Sequence, residues 1–172
     1  VLLSDKEKLK DPLKAIKKLD KNSIFILRSN HNISLSKLKE LRKLCFLQKI
    51  HFFVQEQSLA YMLKADGISF KEQDIAKPRF KLQKKFTTII SCHNQRAAQF
   101  ALSRGDDYIL YSPIFETTTH KNDFYLGRTR FNYQTRFLNI KIIALGGINN
   151  KNMSLLGKLN ISGFAAIDYF AN

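Results

Sequence analysis

The chain has 172 residues, 44% of them hydrophobic and 25% charged, and its 29 Lys+Arg against 14 Asp+Glu give a formal net charge of +15. A folded protein of this length buries about 70% of the surface its extended chain exposes, which suits one domain over residues 1–172 and excludes intrinsic disorder. No apolar run approaches the ~18 residues of a membrane-spanning helix, and Cys45 and Cys92 are too few for a disulfide scaffold or a zinc cluster.

The opening VLLSDKEKLK lacks the basic-then-apolar order of a signal peptide, and it lacks an initiator Met. With the cysteine count this points to a reducing, cytoplasmic compartment and to no membrane partner. Lysines are dispersed along the chain (Lys6, Lys8, Lys10, Lys14, Lys17, Lys18, Lys21, then Lys37, Lys39, Lys43, then Lys81, Lys84, Lys85). That dispersion fits solvated helix faces around a site for phosphorylated ligands. No zinc finger or RNP sequence accompanies it, which argues against nucleic acid as the partner.

Short β-rich runs recur in chain order: Val1–Ser4, Ser23–Leu27, Ile50–Val54, Gly67–Phe70, Thr87–Ile90, Asp107–Tyr111, Ile140–Leu145 and Gly163–Ile167. Between most of them lie segments of helical period. In Ile33–Phe46, Leu35, Leu38, Leu41 and Leu44 fall at every third position; Ser58–Lys64, Gln95–Ser103 and Lys151–Leu159 read alike, with Asn94 as an N-cap. The link Phe70–Phe86 contains Pro78 and little periodicity, so a helix there is short or missing. Eight strands alternating with helices predict a (β/α)8 TIM barrel, short and with reduced helices, since ~200 residues is the usual lower bound. Gly67, Gly105 and Gly163 stand where a helix hands over to a strand, a place for positive φ. Gly146-Gly147 instead closes the seventh run, as an anion cradle or an ordinary tight turn.

In a barrel the chemistry belongs at the carboxyl ends of the strands. Those ends read Asp5; Arg28-Ser29-Asn30; Gln55-Glu56; Ser69, Lys71, Asp74; Ser91, His93; Ser112 to His120; Gly146-Gly147; and Asp168. Arg28 suits either a bidentate phosphate grip or a rim ion pair. Asp74 suits Mg²⁺, which takes one or two carboxylates plus substrate phosphates. Ser91, Cys92 and His93 are sequence neighbours on a strand, so Cys92 and His93 point to opposite faces and cannot form a nucleophilic pair; Cys92 reads as a packing residue. His31 and His51 have no partner at metal-ligand spacing, and the loop PIFETTT offers three hydroxyls to a phosphorylated ligand.

Five segments, ADGISFKEQD (65–74), TIISCHN (88–94), GDDYILYSPIFETTTHK (105–121), IIALGGI (142–148) and SGFAAI (162–167), together resemble the thiamine phosphate synthase/TenI family. The corresponding family strings are approximately ADGVHLGQED, GVSAH, GADYVGLGPIYPTETKK, GIGGI and ADGVSMIS, in the same order, with shortened segments before 65 and between 74 and 88. The resemblance implies a (β/α)8 barrel that joins hydroxymethylpyrimidine diphosphate to thiazole phosphate, with Mg²⁺ as cofactor, releasing diphosphate and giving thiamine phosphate. It implies that Arg28 and Ser91 face the diphosphate, that Thr117, Thr119 and Gly147 face the thiazole phosphate, that Ile167 makes a backbone contact on the eighth strand, and that Asn30, His120 and Asp168 also stand at substrate-binding positions. Of these, Arg28, Ser91 and His120 would be catalytic.

The metal side would be Asp74 and Gln55. The family's third-strand Asn-Asp pair falls on Val54-Gln55 and loses a carboxylate there, unless Glu56 substitutes after a one-residue shift. Further departures are Ile26 and Asn30 for the Gln and Lys of QLREK, His120 for the lysine of PTETK, and Asp168 for a serine beside a phosphate. A carboxylate beside a phosphate is unfavourable unless a cation or proton intervenes. A TenI-like protein that binds or tautomerises thiazole phosphate without the joining step is the alternative, with His120 as its acid–base group. A basic nucleic-acid-binding barrel is the remote one. Family resemblance also allows a homo-oligomer.

Overall fold

The structure, a computed structural model, describes residues 1–5, 9, 11–28, 33–76, 86–117 and 124–171. Eight parallel strands lie in sequence order: β1 (Leu2–Leu3), β2 (Ile24–Leu27), β3 (His51–Val54), β4 (Gly67–Phe70), β5 (Thr87–Cys92), β6 (Tyr108–Tyr111), β7 (Lys141–Leu145) and β8 (Gly163–Ala165). The last strand returns to the first through the parallel bridge Leu2–Ala166, where the Ala166 N–H donates to the Val1 carbonyl at 3.1 Å. All eight expected strands are present, and the sheet closes into the expected (β/α)8 barrel.

The crossovers are short. They comprise α1 (Pro12–Lys17), α2 (Leu35–Leu47), α3 (Gln57–Leu63), α4 (Gln95–Arg104) and α5 (Gly127–Thr135), with α6 (Asp168–Ala171) after β8. Asn94 caps α4 as expected, accepting from the Ala97 N–H at 2.9 Å. After β4 the described chain makes only a 3-10 turn, Glu72–Ala76, in line with the weak periodicity there. The segment expected to be a helix over Lys151–Leu159 is instead a 3-10 helix, Met153–Lys158. Asn152, just before it, turns its side-chain amide back onto the Gly147 carbonyl at 2.8 Å. Such a side chain-to-backbone bond competes with a regular helix start.

Side chains divide by the two-residue strand period. Leu3, Ile24, Ile26, Phe53, Ile89, Leu110, Ile143 and Ala165 fill the barrel interior. The alternate set, including Phe25, Phe52, Val54 and Ile68, packs outward under the helices of the first half; Ile90, Cys92, Ile109, Tyr111, Ile142 and Ala144 do so in the second. Gly67 follows from this packing rather than from backbone freedom: its φ is not positive, and a Cβ there would lie 2.2 Å from the Phe53 ring. Lys64, with φ 49°, takes the left-handed position before β4 instead. Gly163 likewise has no positive φ, and only Gly105 of the three fulfils the expectation, as the C-cap of α4 at φ 75°.

Candidate functional site

One further two-residue step carries each inward row to the carboxyl rim. From Leu3 it reaches Asp5, from Ile26 Arg28, from Phe53 Gln55, from Ser69 Lys71, from Ile89 Ser91, from Leu110 Ser112, from Leu145 Gly147 and from Ala165 Ile167. All eight line a single open cavity of about 840 Å³. The walls are completed by the β6–α5 loop, through Pro113, Phe115, Thr117, Phe124 and Tyr125, and by Glu72, Gln73 and His93. The volume is that of a small-molecule site. The interior below is plugged by apolar side chains, so a ligand is confined to the rim.

Two regions of this rim carry groups that can bind an anion. On the first, Arg28 stands at the end of β2, its N–H held by Ser4 Oγ at 2.8 Å and its Nη1 3.9 Å from the Asp5 carboxylate. Burial lowers the Arg28 pKa and the Asp5 charge raises it; a guanidinium stays protonated through such shifts. The ion pair is long, so the guanidinium retains capacity to bind a second anion. Ser91, at the end of β5, lines the same cavity, whereas Cys92 between Ser91 and His93 points into the core, fully buried, with its thiol pushed up to about 12 by that burial. Cys92 is therefore a packing residue, as expected.

The second region is the β7 end. Gly146 and Gly147 have φ of 106° and 65°, which L side chains rarely adopt. They also touch the β6–α5 loop: a Cβ on Gly146 would sit 2.7 Å from Pro113 Cα, and one on Gly147 would sit 2.1 Å from the Glu116 carbonyl oxygen. Backbone bonds lock the approach, Ile114 N–H to Leu145 O at 2.9 Å and Phe115 N–H to Gly146 O at 3.1 Å. The Gly147 carbonyl is turned away and accepts from Asn149 Nδ2 at 3.2 Å and from Asn152 Nδ2 at 2.8 Å. Among the described residues, no acceptor lies against the Gly147 and Ile148 N–H groups, and both residues line the cavity. Paired outward N–H groups in a left-handed turn make a concavity for an anion.

A model of the family described as thiamine monophosphate synthase matches residues 4–170. The chain belongs to the thiamine monophosphate synthase family. A thiamine-phosphate synthase of Prochlorococcus marinus subsp. pastoris is 34% identical over 146 residues, covering 83% of this chain and 42% of that protein. A putative thiamine-phosphate synthase 2 of Aquifex aeolicus is 30% identical over 134 residues, covering 77% of this chain and 72% of that one. The chain thus spans about two fifths of the length of its Prochlorococcus relatives. In fold it superposes on a thiamine phosphate pyrophosphorylase from Pyrococcus furiosus with a TM-score of 0.76 at 20% identity, covering 96% of this chain and 83% of that one.

Of the residues that the family motifs single out, the cavity brings together Arg28, Gln55, Ser91, Thr117, Gly147 and Ile167. Asn30, Thr119 and His120 lie outside the described residues, as does His31. Asp168 opens α6, but its side chain lies outside the described set. Asp74 is not on the cavity wall; its Oδ2 accepts the Lys71 N–H at 2.9 Å. Among the described residues no three His, Cys, Asp or Glu side chains converge as a metal cluster, and none of the helices is long and apolar enough to cross a membrane. Of the two residues expected on the metal side, Gln55 lines the cavity and Asp74 does not.

Motif reading missed a linkage between strands. Glu72 accepts from the His93 N–H at 2.8 Å and from Asn94 Nδ2 at 2.9 Å, and its Oε2 also contacts the His93 ring at Nδ1. The residues are 21 and 22 positions apart, so only the adjacency of β4 and β5 reveals it. Phe124 and Tyr125, which close the wall, belong to no motif and no periodic segment.

Proposed function

We propose that the chain catalyses the joining of hydroxymethylpyrimidine diphosphate to thiazole phosphate, giving thiamine phosphate and diphosphate. One observation carries this reading: a single cavity has two anion-receiving regions on separate strand ends, Arg28 and Ser91 over β2 and β5, and Gly147 with Thr117 over β6–β7. Two phosphorylated ligands bound at these points would meet over the apolar plug of the barrel. Membership of the thiamine monophosphate synthase family supports the same assignment.

In this reading the Arg28 guanidinium takes up charge that grows on the departing diphosphate, and Ser91 donates a hydrogen bond to the same group. The Gly147 and Ile148 N–H groups hold the thiazole phosphate, and Thr117 adds a hydroxyl. Holding both partners in one pocket supplies the positioning that a bimolecular reaction in water lacks. Magnesium, when bound, would neutralise charge on the diphosphate; of the two residues expected to hold it, Gln55 lines the cavity and Asp74 does not.

The test is incubation of the folded protein with both substrates and Mg²⁺. Thiamine phosphate is the expected product, and Arg28→Ala is expected to lower kcat about 10²–10³-fold, the scale for removing one preorganised charge-stabilising donor. No product from folded protein overturns the assignment. Binding of thiazole phosphate without any binding of diphosphate would replace it with the non-joining reading, which the sparse carboxylates of the metal side favour.

A further inference from the structure

The inward row of β4 runs Gly67, Ser69 and then Lys71, one step past the strand, so the Lys71 side chain lines the cavity. Its backbone is fixed from both sides. The N–H donates to Asp74 Oδ2 at 2.9 Å, and the carbonyl accepts from the Asp74 N–H at 2.9 Å. The next residue, Glu72, is pinned to the end of β5 by His93 and Asn94, and Asn94 in turn caps α4. A loop residue is thus held almost as firmly as a strand residue.

Its charge is uncommitted. Arg28 has Asp5 within 3.9 Å. Among the described residues no carboxylate stands against the Lys71 ammonium, and the adjacent Glu72 uses both oxygens on His93 and Asn94. Around the rim, Arg28, Gln55, Lys71 and Ser91 follow one another over β2, β3, β4 and β5, away from the glycine turn on β7. A cation with a fixed backbone and, among the described residues, no carboxylate partner, on the wall of the cavity that Arg28 also lines, can receive an anion there.

We propose that Lys71 is a substrate-binding residue of this site that grips the diphosphate end together with Arg28, and that Glu72 is its positioning residue, acting through the His93–Asn94 anchor. The identity of the ligand as a diphosphate rests on the function proposed above; the placement of the cation does not.

The experiment is calorimetric titration with inorganic diphosphate and, separately, with thiazole phosphate, on wild type, Lys71→Gln, Lys71→Arg, Glu72→Ala and Lys39→Gln. Lys39 is an exposed lysine of α2 and controls for loss of one net charge. Lys71→Gln is expected to weaken diphosphate binding about tenfold or more, the size of one charge-assisted hydrogen bond, and to leave thiazole phosphate binding within twofold. Lys71→Arg should recover most of the loss. Glu72→Ala should weaken diphosphate alone, a split between two ligands that general destabilisation would not produce.

The proposal is overturned if Lys71→Gln behaves as Lys39→Gln does, or if wild type binds no diphosphate. Lys71-dependent diphosphate binding in a protein that makes no thiamine phosphate would sink the synthase reading and uphold this one. Synthesis with an unchanged KM in Lys71→Gln would do the reverse.

Discussion

Gly147→Ala isolates the contribution of the turn on β7, and Gly105→Ala is its internal control. Both glycines have nearly the same left-handed backbone, φ 65° and 75°. An alanine at either position carries the conformational cost of that region, about 1–2 kcal/mol. The two sites differ in what a methyl group meets. At Gly105 nothing lies within 4 Å, whereas at Gly147 the new Cβ would stand 2.1 Å from Glu116 O and 2.8 Å from Phe115 O. These are backbone atoms of a loop tied to β7 by the Ile114 and Phe115 hydrogen bonds, so they cannot yield as a flexible side chain would.

Forcing a methyl group into packed surroundings costs about 1–3 kcal/mol beyond the φ term. At about 2–4 °C per kcal/mol for a chain of this size, Gly147→Ala should melt several degrees below Gly105→Ala. The turn must also open to admit the methyl group, which moves the Gly147 and Ile148 N–H groups off their common target. Thiazole phosphate affinity is therefore expected to fall at least about tenfold in Gly147→Ala and to be unchanged in Gly105→Ala. Thermal melts and calorimetry on the same samples measure both effects. Equal melting temperatures with equal affinities would refute the close-contact argument and, with it, the anion role given to this turn.

Three other outcomes follow from groups away from the cavity. Cys45 and Cys92 are free and fully buried, with thiols pushed up to about 12 by burial, so a thiol reagent at pH 8 should label neither in the native protein and both after denaturation. An acid whose pKa is higher folded than unfolded stabilises the fold fully below its unfolded value and loses that stabilisation as pH rises. Stability should thus fall between about pH 9 and 12 by roughly 1.4 kcal/mol per pH unit for each cysteine, and Cys92→Ala should flatten that slope in chemical denaturation. Asp66 accepts from Arg42 Nη1 at 3.1 Å, Arg42 Nη2 at 3.3 Å and the Phe52 N–H at 2.8 Å, joining α2, β3 and the start of β4. Asp66→Ala is expected to cost about 1–3 kcal/mol in chemical denaturation while leaving phosphate affinity at the far end of the barrel unchanged.

The barrel was legible because its strands are buried on both faces and so stand out as β-rich runs between polar segments. The helices were legible only where they bury a stripe. α2 and α4 do so, but α1 is six residues and mostly lysine and apolar, and α5 buries little more than Phe131 and Thr135. The better signal for α1 was local chemistry. Asp11 accepts from the Leu13 and Lys14 N–H groups, and Pro12 occupies the first helical position. For the site, strand ends named most of the rim because the two-residue period continues past each strand. What sequence order could not supply is adjacency across strands, as in the Glu72–His93–Asn94 link, or the reason for Gly67, which lies in the Phe53 ring.

The net charge of +15 and the cavity act at different ranges. Among the described residues, the permanent cations on the cavity wall are Arg28 and Lys71, set against Asp5 and Glu72, so the wall itself is close to neutral. Among the described residues, the remaining excess of cations lies off this wall, where salt screens it beyond about a Debye length. Such a field raises the encounter rate of phosphorylated ligands without choosing among them. Selection is then left to fixed groups: N–H groups in a turn that only glycine can make, and two cations whose backbones are held at β2 and β4. This division predicts how mutations separate. Surface lysine changes should alter association rates in a salt-dependent manner, whereas changes at Arg28, Lys71 or Gly147 should alter dissociation of one ligand and persist at high salt.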